Sequence, residues 1–130
     1  MRKLTLALIA TISLLHFYIA WFEIFAWTTK GPKIFSTFPP ELFEQTVHMA
    51  ANQGIYNAFL AAGLMWSLFI KDQKWQRNIA VCFLMFVTIA GVVAALTVAL
   101  KSGLIQIIPA VIALILVFVF MNKKTSDSAD

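Results

Sequence analysis

Five polar side chains within apolar segments could do chemistry in this chain. Asn52, Gln53, Tyr56 and Asn57 fall within six residues, and Glu23 lies in an earlier apolar segment. Amides and a phenol donate and accept hydrogen bonds, and a carboxyl group can donate or remove a proton. Such groups are costly inside a membrane unless they find partners. The rest of the chain is therefore expected to supply those partners.

The composition is that of a membrane protein with short loops. The 130 residues are 61% hydrophobic and 12% charged, with a mean hydropathy of +0.84. Soluble domains are about 45–50% apolar and about 25% charged. A single membrane domain over residues 1–130 is therefore expected. The net charge of +4 does not predict a nucleic-acid partner, because the basic residues stand at segment ends. The single cysteine, Cys82, excludes an internal disulfide and a cysteine metal site.

Four apolar segments predict an all-α fold, an integral membrane bundle of four transmembrane helices. They cover about residues 4–27, 50–70, 79–100 and 104–121, and each is close to the length that crosses a hydrocarbon core of about 30 Å. A cleaved signal peptide is the alternative for the first segment, but no small-x-small site ends it. The polar tail 122–130 is expected to be disordered.

The connections carry recognisable turn signals. Residues 30–33, Lys-Gly-Pro-Lys, should break the helix in a connection over 28–44. A helix from about Pro40 to Ile70 would be too long for a bilayer, so it should project from the membrane or bend near Gly54. Polar turns are expected at 71–78 and 101–103.

The distribution of basic residues predicts the orientation. Four spans put both termini on one side, which then carries seven basic residues against three on the other. The positive-inside rule places both termini in the cytoplasm of a multi-pass protein of the cell (inner) membrane. The seven are Arg2, Lys3, Lys71, Lys74, Arg77, Lys123 and Lys124.

Helical spacing predicts which polar groups meet. His16 and Glu23 are seven residues apart, so they share a face of the first helix, together with Trp27. The first two helices are antiparallel, which puts Glu23 at the depth of Asn52 to Asn57. His16 should lie ~10 Å deeper.

This arrangement favours a ligand site. Glu23 would be the catalytic acid or base, together with His16. The ligand-binding residues would be Asn52, Gln53, Tyr56, Asn57 and Trp27. The alternative is an interhelical hydrogen-bond network that only holds the bundle together. No metal site is expected, because His16 and His48 differ in depth, and no cofactor motif is visible.

Two segments resemble the domain-of-unknown-function family numbered thirteen-oh-four. The first is His16-Phe17-Tyr18-Ile19-Ala20-Trp21-Phe22-Glu23 followed by Trp27-Thr28-Thr29. The second is Ala51-Asn52-Gln53-Gly54-Ile55-Tyr56-Asn57-Ala58-Phe59-Leu60-Ala61-Ala62-Gly63-Leu64. The resemblance implies a small integral membrane protein of four helices, and it implies no particular reaction.

Three functions are open at this point. The first is binding of, or action on, a lipid or another small apolar or amphipathic ligand in an intramembrane polar pocket. The second is a proton-coupled transporter that works as a homodimer through the small residues Gly91, Ala95 and Ala99. The third is a structural membrane subunit, in which the polar residues only pack helices.

Overall fold

The computed structural model describes residues 1–121, and all regular structure in that range is helical. The predicted all-α class is confirmed for these residues, and the predicted disordered tail lies outside them. The helices are α1 (Arg2–Phe25), α2 (Trp27–Ile34), α3 (Glu41–Gln45), α4 (Val47–Phe69), α5 (Gln73–Thr97) and α6 (Leu100–Phe120).

The four long helices, α1, α4, α5 and α6, form a ring in that order, and each helix runs antiparallel to both of its neighbours. α1 packs along α4 and α5 packs along α6, while α4–α5 and α1–α6 contacts close the ring. In the α1–α4 pair, the Ser13 hydroxyl donates a hydrogen bond of 2.8 Å to the Ala61 carbonyl. We call the end where α1 begins and α4 ends the Arg2 end. The opposite end, where α2 and α3 lie, is the α2 end.

Three of these helices are long and apolar enough to cross a membrane. They are α1, α5 and α6, with 24, 25 and 21 residues. α4 has a comparable length of 23 residues but carries the predicted polar cluster in its first half. The architecture therefore supports a membrane protein with three candidate spans.

The apolar core fills only the Arg2 half of the bundle. It is built from the first half of α1, the second half of α4, the first and middle turns of α5, and the second half of α6. Its residues are Ile9, Ile12, Leu64, Ala80, Leu84, Val87, Ala110, Ala113 and Val117, all at most 1% exposed. In the α2 half, the buried residues include Asn57 and the small residues Ala20 and Ala50, together with the aromatic side chains of Phe22 and Phe43.

Gln76 ties three helices together at the Arg2 end. It is 3% exposed. Its Oε1 accepts a hydrogen bond of 2.8 Å from the Arg2 guanidinium. Its Nε2 donates one of 3.1 Å to the Ser67 carbonyl. A buried amide that satisfies groups on α1 and α4 from its position on α5 fixes the relative positions of these helices at this end.

The predicted break at residues 30–33 is wrong, because α2 continues through Pro32. Proline has no N–H and so leaves the Thr28 carbonyl without its helical partner, but Thr28 is exposed. Gly31 is buried against the Phe43 ring, where a Cβ would collide with the ring. This contact holds α2 in place despite the proline.

The long helix expected from about Pro40 to Ile70 is interrupted at Thr46, between α3 and α4. The Thr46 hydroxyl donates to the Leu42 carbonyl and accepts from the Trp27 indole N–H. These side-chain bonds fix the chain where α3 ends and α4 begins. Gly54 lies within α4.

The other two predicted turns are shorter than expected. α5 begins at Gln73, since the Asp72 carboxylate caps it by accepting a hydrogen bond of 2.8 Å from the Trp75 N–H. α6 begins at Leu100, so residues 101–103 form its first turn and not a connection. The extended residue Ala99 precedes it, with φ −161°.

Gly103 lies at a close contact between α5 and α6. A Cβ on Gly103 would collide with the Gly91 carbonyl oxygen and with Ala95. Small residues let two helices approach to this distance in lipid. Gly91 and Ala95, predicted as part of a contact between two copies of the chain, therefore face α6 of their own chain.

We expect Gly103→Ala to destabilise the protein by about 1–3 kcal/mol, because backbone atoms of α5 must move to admit the methyl group. Thermal unfolding in detergent, followed by size-exclusion chromatography, measures the loss. Ser102→Ala is the control and should leave the unfolding temperature unchanged. Equal stability of the two variants would contradict the close α5–α6 contact.

Candidate functional site

A hydrogen bond between α1 and α4 is the centre of the polar cluster. The Asn57 Nδ2 donates to the Glu23 Oε2 at 2.7 Å. Asn57 is 7% exposed, and Glu23 is half-buried. The sequence placed these two side chains at the same depth, and the structure brings them together.

Small residues on α4 allow this contact. Gly54 lies one turn before Asn57 and faces Ala20 and Ile24 of α1. A Cβ on Gly54 would approach Ile24 to 2.6 Å and the Glu23 Cβ to 3.2 Å. Glycine thus lets α1 come close enough to α4 for a short amide to reach the carboxylate.

Gln53 and Tyr56 lie next to this pair and remain uncovered. The Asn57 Nδ2 also donates a long hydrogen bond of 3.4 Å to the backbone carbonyl of Gln53. Gln53 therefore lies one helical turn before Asn57, next to the Glu23 contact. Gln53 is exposed, and Tyr56 is 56% exposed. Asn52 is exposed too, beside Tyr56 on the helix surface. Of the four predicted polar groups on α4, only Asn57 is engaged with Glu23.

The same side of α4 is covered by α5 nearer the Arg2 end. Residues seven apart lie on nearly the same side of a helix. Leu60, seven residues after Gln53, packs on the apolar core. Gly63, seven residues after Tyr56, is buried against Phe83 of α5. α5 therefore leaves α4 uncovered at the α2 end. We call the open region bounded by Glu23, Gln53, Tyr56 and Asn57 the polar groove.

His16 lies deeper, at the boundary of the apolar core. It is 0% exposed, and its Nδ1 is 2.9 Å from the Ile12 carbonyl. Its Nε2 is buried without a hydrogen-bond partner among residues 1–121. The Gln106 side chain of α6 approaches the imidazole without meeting hydrogen-bond geometry. His16 and Glu23 share a face of α1 at different depths, so they do not touch.

Trp27 is engaged with the segment that covers the α2 end. Its Nε1 donates a hydrogen bond of 3.0 Å to the Thr46 hydroxyl. Its ring lies 5.2 Å from the Phe43 ring, centroid to centroid. Phe22 and Phe35 complete this aromatic cluster. The indole N–H of Trp27 is thus used within the protein, and a ligand could meet only its ring.

Two residues near the predicted site were missed. Gln106 approaches His16, and Thr46 holds Trp27. Gln106 was detectable, because a glutamine in an otherwise apolar segment is a functional candidate by default. Thr46 was not, because nothing in its sequence neighbourhood points to Trp27.

The predicted site residues of α1, α2 and α4 belong to no metal cluster in residues 1–121, and they do not line the surface groove found on α6. Within residues 1–121, no three His, Cys, Asp or Glu side chains come together at metal-binding distances. A shallow apolar groove on α6 contains none of the predicted site residues; it is lined by Leu100, Lys101, Leu104, Ile105, Ile108 and Pro109.

These features define the class, a small all-helical protein with three helices that are long and apolar enough to cross a membrane and a polar contact between α1 and α4. The chain belongs to the family described as "Protein of unknown function (DUF1304)", which matches residues 10–118. It is similar to "Uncharacterized protein YpaA" of Lactococcus lactis subsp. lactis, 32% identical over 117 residues that cover 88% of this chain and 97% of that protein. No solved structure matches the chain. The resemblance noted from the two segments is thereby confirmed.

We expect Asn57→Ala to destabilise the protein by about 0.6–2 kcal/mol, the usual contribution of an interhelical hydrogen bond in a membrane. The variant leaves Glu23 without its donor. Thermal unfolding in detergent measures the effect. Asn52→Ala removes an exposed amide from the same helix and should cost less. A larger loss for Asn52→Ala would show that Asn57 is not the partner that matters.

Proposed function

We propose that this protein binds a small amphipathic molecule within the membrane, with the polar end of the molecule in the polar groove. The observation that supports this most is the exposure of Gln53 and Tyr56 on a side of α4 that α5 covers deeper in the bundle. Helix packing alone does not need polar groups that have no partner. Unpaired amides facing hydrocarbon cost free energy that a bound polar group would recover.

The groove offers complementary hydrogen-bonding groups at one depth. Asn57 orients Glu23, and Gln53 and Tyr56 each add a donor and an acceptor. The apolar part of the ligand would extend towards the lipid along Phe59, which is 60% exposed and whose ring lies 6.3 Å from the Tyr56 ring. If the bound molecule is a substrate, Glu23 is the group placed to exchange a proton with it. His16, two turns deeper, would act only on a distant part of the ligand.

The groove needs a defined position in the bilayer, and we propose that α4 is a fourth span. Its 23 residues match the length of α1, and only residues 70–72 separate it from α5. The Arg2 end carries Arg2, Lys3, Lys71, Lys74 and Arg77. By the positive-inside rule this end, with both termini, faces the cytoplasm. The polar groove then lies in the half of the membrane away from the cytoplasm.

Cysteine accessibility tests this orientation. In a Cys82→Ser background, Lys30→Cys should react with a membrane-impermeant maleimide added to intact cells. Lys74→Cys should react only after the cells are permeabilised. The reverse pattern would overturn the orientation, and labelling of both positions in intact cells would overturn the proposed number of spans.

A groove-filling variant tests the binding site. Native mass spectrometry of the protein in mild detergent should find a bound lipid or metabolite. Gln53→Trp should abolish that adduct, because the indole fills the groove. Ile55→Trp is the matched control, since Ile55 is exposed on the other flank of α4, and it should retain the adduct. Loss from both variants, or from neither, would contradict binding in the polar groove.

A structural role for the polar cluster makes a different prediction. The Glu23–Asn57 bond joins two helices and would stabilise the bundle even without a ligand. In that case the wild type should carry no specific adduct, and Gln53→Trp should change nothing except stability. The same mass spectra therefore separate the two functions.

A further inference from the structure

Glu23 has an incomplete set of partners. Its Oε2 accepts the hydrogen bond from Asn57. Its Oε1 accepts none from the residues that the structure describes, and it is not among the fully buried unpaired atoms. No lysine, arginine or histidine of residues 1–121 acts as its charge partner. One carboxylate oxygen of a residue that borders the polar groove is thus left without a partner among residues 1–121.

Two basic side chains make contacts of their own away from Glu23. The Lys30 Nζ lies over the Trp21 ring, 4.5 Å from its centroid. Trp21 is two residues from Glu23, which puts it on the opposite side of α1. Arg2 is bonded to Gln76 at the other end of the bundle. Lys33 and Lys101, the other lysines near the α2 end, are exposed, and neither is a partner of Glu23 in the part of the chain that the structure describes.

We propose that the ligand is an amphipathic amine whose ammonium group pairs with Glu23. This rests on the proposed ligand site and specifies its chemistry. A half-buried carboxylate is stabilised by a positive charge that also hydrogen-bonds to it. The Glu23 Oε1 would accept one ammonium N–H, and the Gln53 and Tyr56 side-chain oxygens are acceptors for the others. The Tyr56 ring adds a face that attracts cations.

The alternatives satisfy the groove less well. A ligand carboxylate or phosphate would place a second negative charge beside Glu23, and like charges at this distance repel. A neutral alcohol could donate a hydrogen bond to the Glu23 Oε1 but would leave its charge unpaired. An ammonium supplies the donor and the charge together.

Binding of four octyl probes tests the proposal. The full-length protein in phosphatidylcholine nanodiscs is titrated calorimetrically with octylamine, octyltrimethylammonium, octanol and octanoate. Octylamine should bind saturably. Glu23→Gln, which keeps the shape and the acceptor but removes the charge, should weaken octylamine binding about tenfold or more, equivalent to about 1.4 kcal/mol. Octyltrimethylammonium should bind more weakly than octylamine because it has no N–H donors.

The control variant is Glu44→Gln, which removes an equal charge from an exposed site at the same end and should leave octylamine affinity unchanged.

If Glu23→Gln does not fold, protection of wild-type Glu23 from dicyclohexylcarbodiimide is measured instead. Octylamine should protect it and octanol should not. The proposal is overturned if octylamine shows no saturable binding, or if its affinity is indifferent to Glu23→Gln. If octanol or octanoate binds more tightly than octylamine, the proposal that the ligand is an amine is overturned. If that binding is also lost in Gln53→Trp, the polar groove still stands as the ligand site.

Discussion

The hydrogen bond between Asn57 and Glu23 is the contact on which the polar half of the bundle depends. It places a carboxylate of α1 against an amide of α4 at 2.7 Å, where the apolar core no longer reaches. Gly54 makes the approach possible, since a larger residue would collide with Ile24. In the α2 half this pair acts beside the aromatic cluster around Trp27, in which Phe43 is fully buried. A buried polar contact of this kind specifies how two helices are aligned, because few other alignments satisfy both groups.

The division of the interior into two halves explains how one small chain can be both stable and open. Close-packed side chains such as Leu84 and Val117 hold the Arg2 half. The α2 half is held by the Glu23–Asn57 bond, the Gly91–Gly103 approach and the aromatic cluster around Trp27. Functional regions are commonly drawn from the less stable part of a structure. The proposed site lies in the α2 half, between helices whose other ends pack on the apolar core.

Sequence reasoning predicted the helical class, the family, and the shared depth of Glu23 and Asn57, because each follows from hydropathy, helical spacing or an extended motif. It failed where tertiary contacts override local signals. Pro32 predicted a break, but packing of Gly31 against Phe43 supports a helix there. Gly91 and Ala95 predicted a close helix contact without indicating which helix makes it, and the partner is α6 of the same chain. The exposure of Gln53 and Tyr56 was also not predictable. It depends on where α5 stops covering α4, and no local sequence pattern encodes that position.

The Gln76 contacts at the Arg2 end have a mechanical consequence. They fasten α1, α4 and α5 where α4 and α5 are joined by a short connection. Any change in the separation of α4 and α5 must therefore be a tilt about this fastened end, since sliding would break the bonds to Arg2 and Ser67. Displacement in such a tilt grows with distance from the pivot and is largest beside Gln53 and Tyr56. The width of the polar groove would then depend on the angle between α4 and α5 about the buried Gln76.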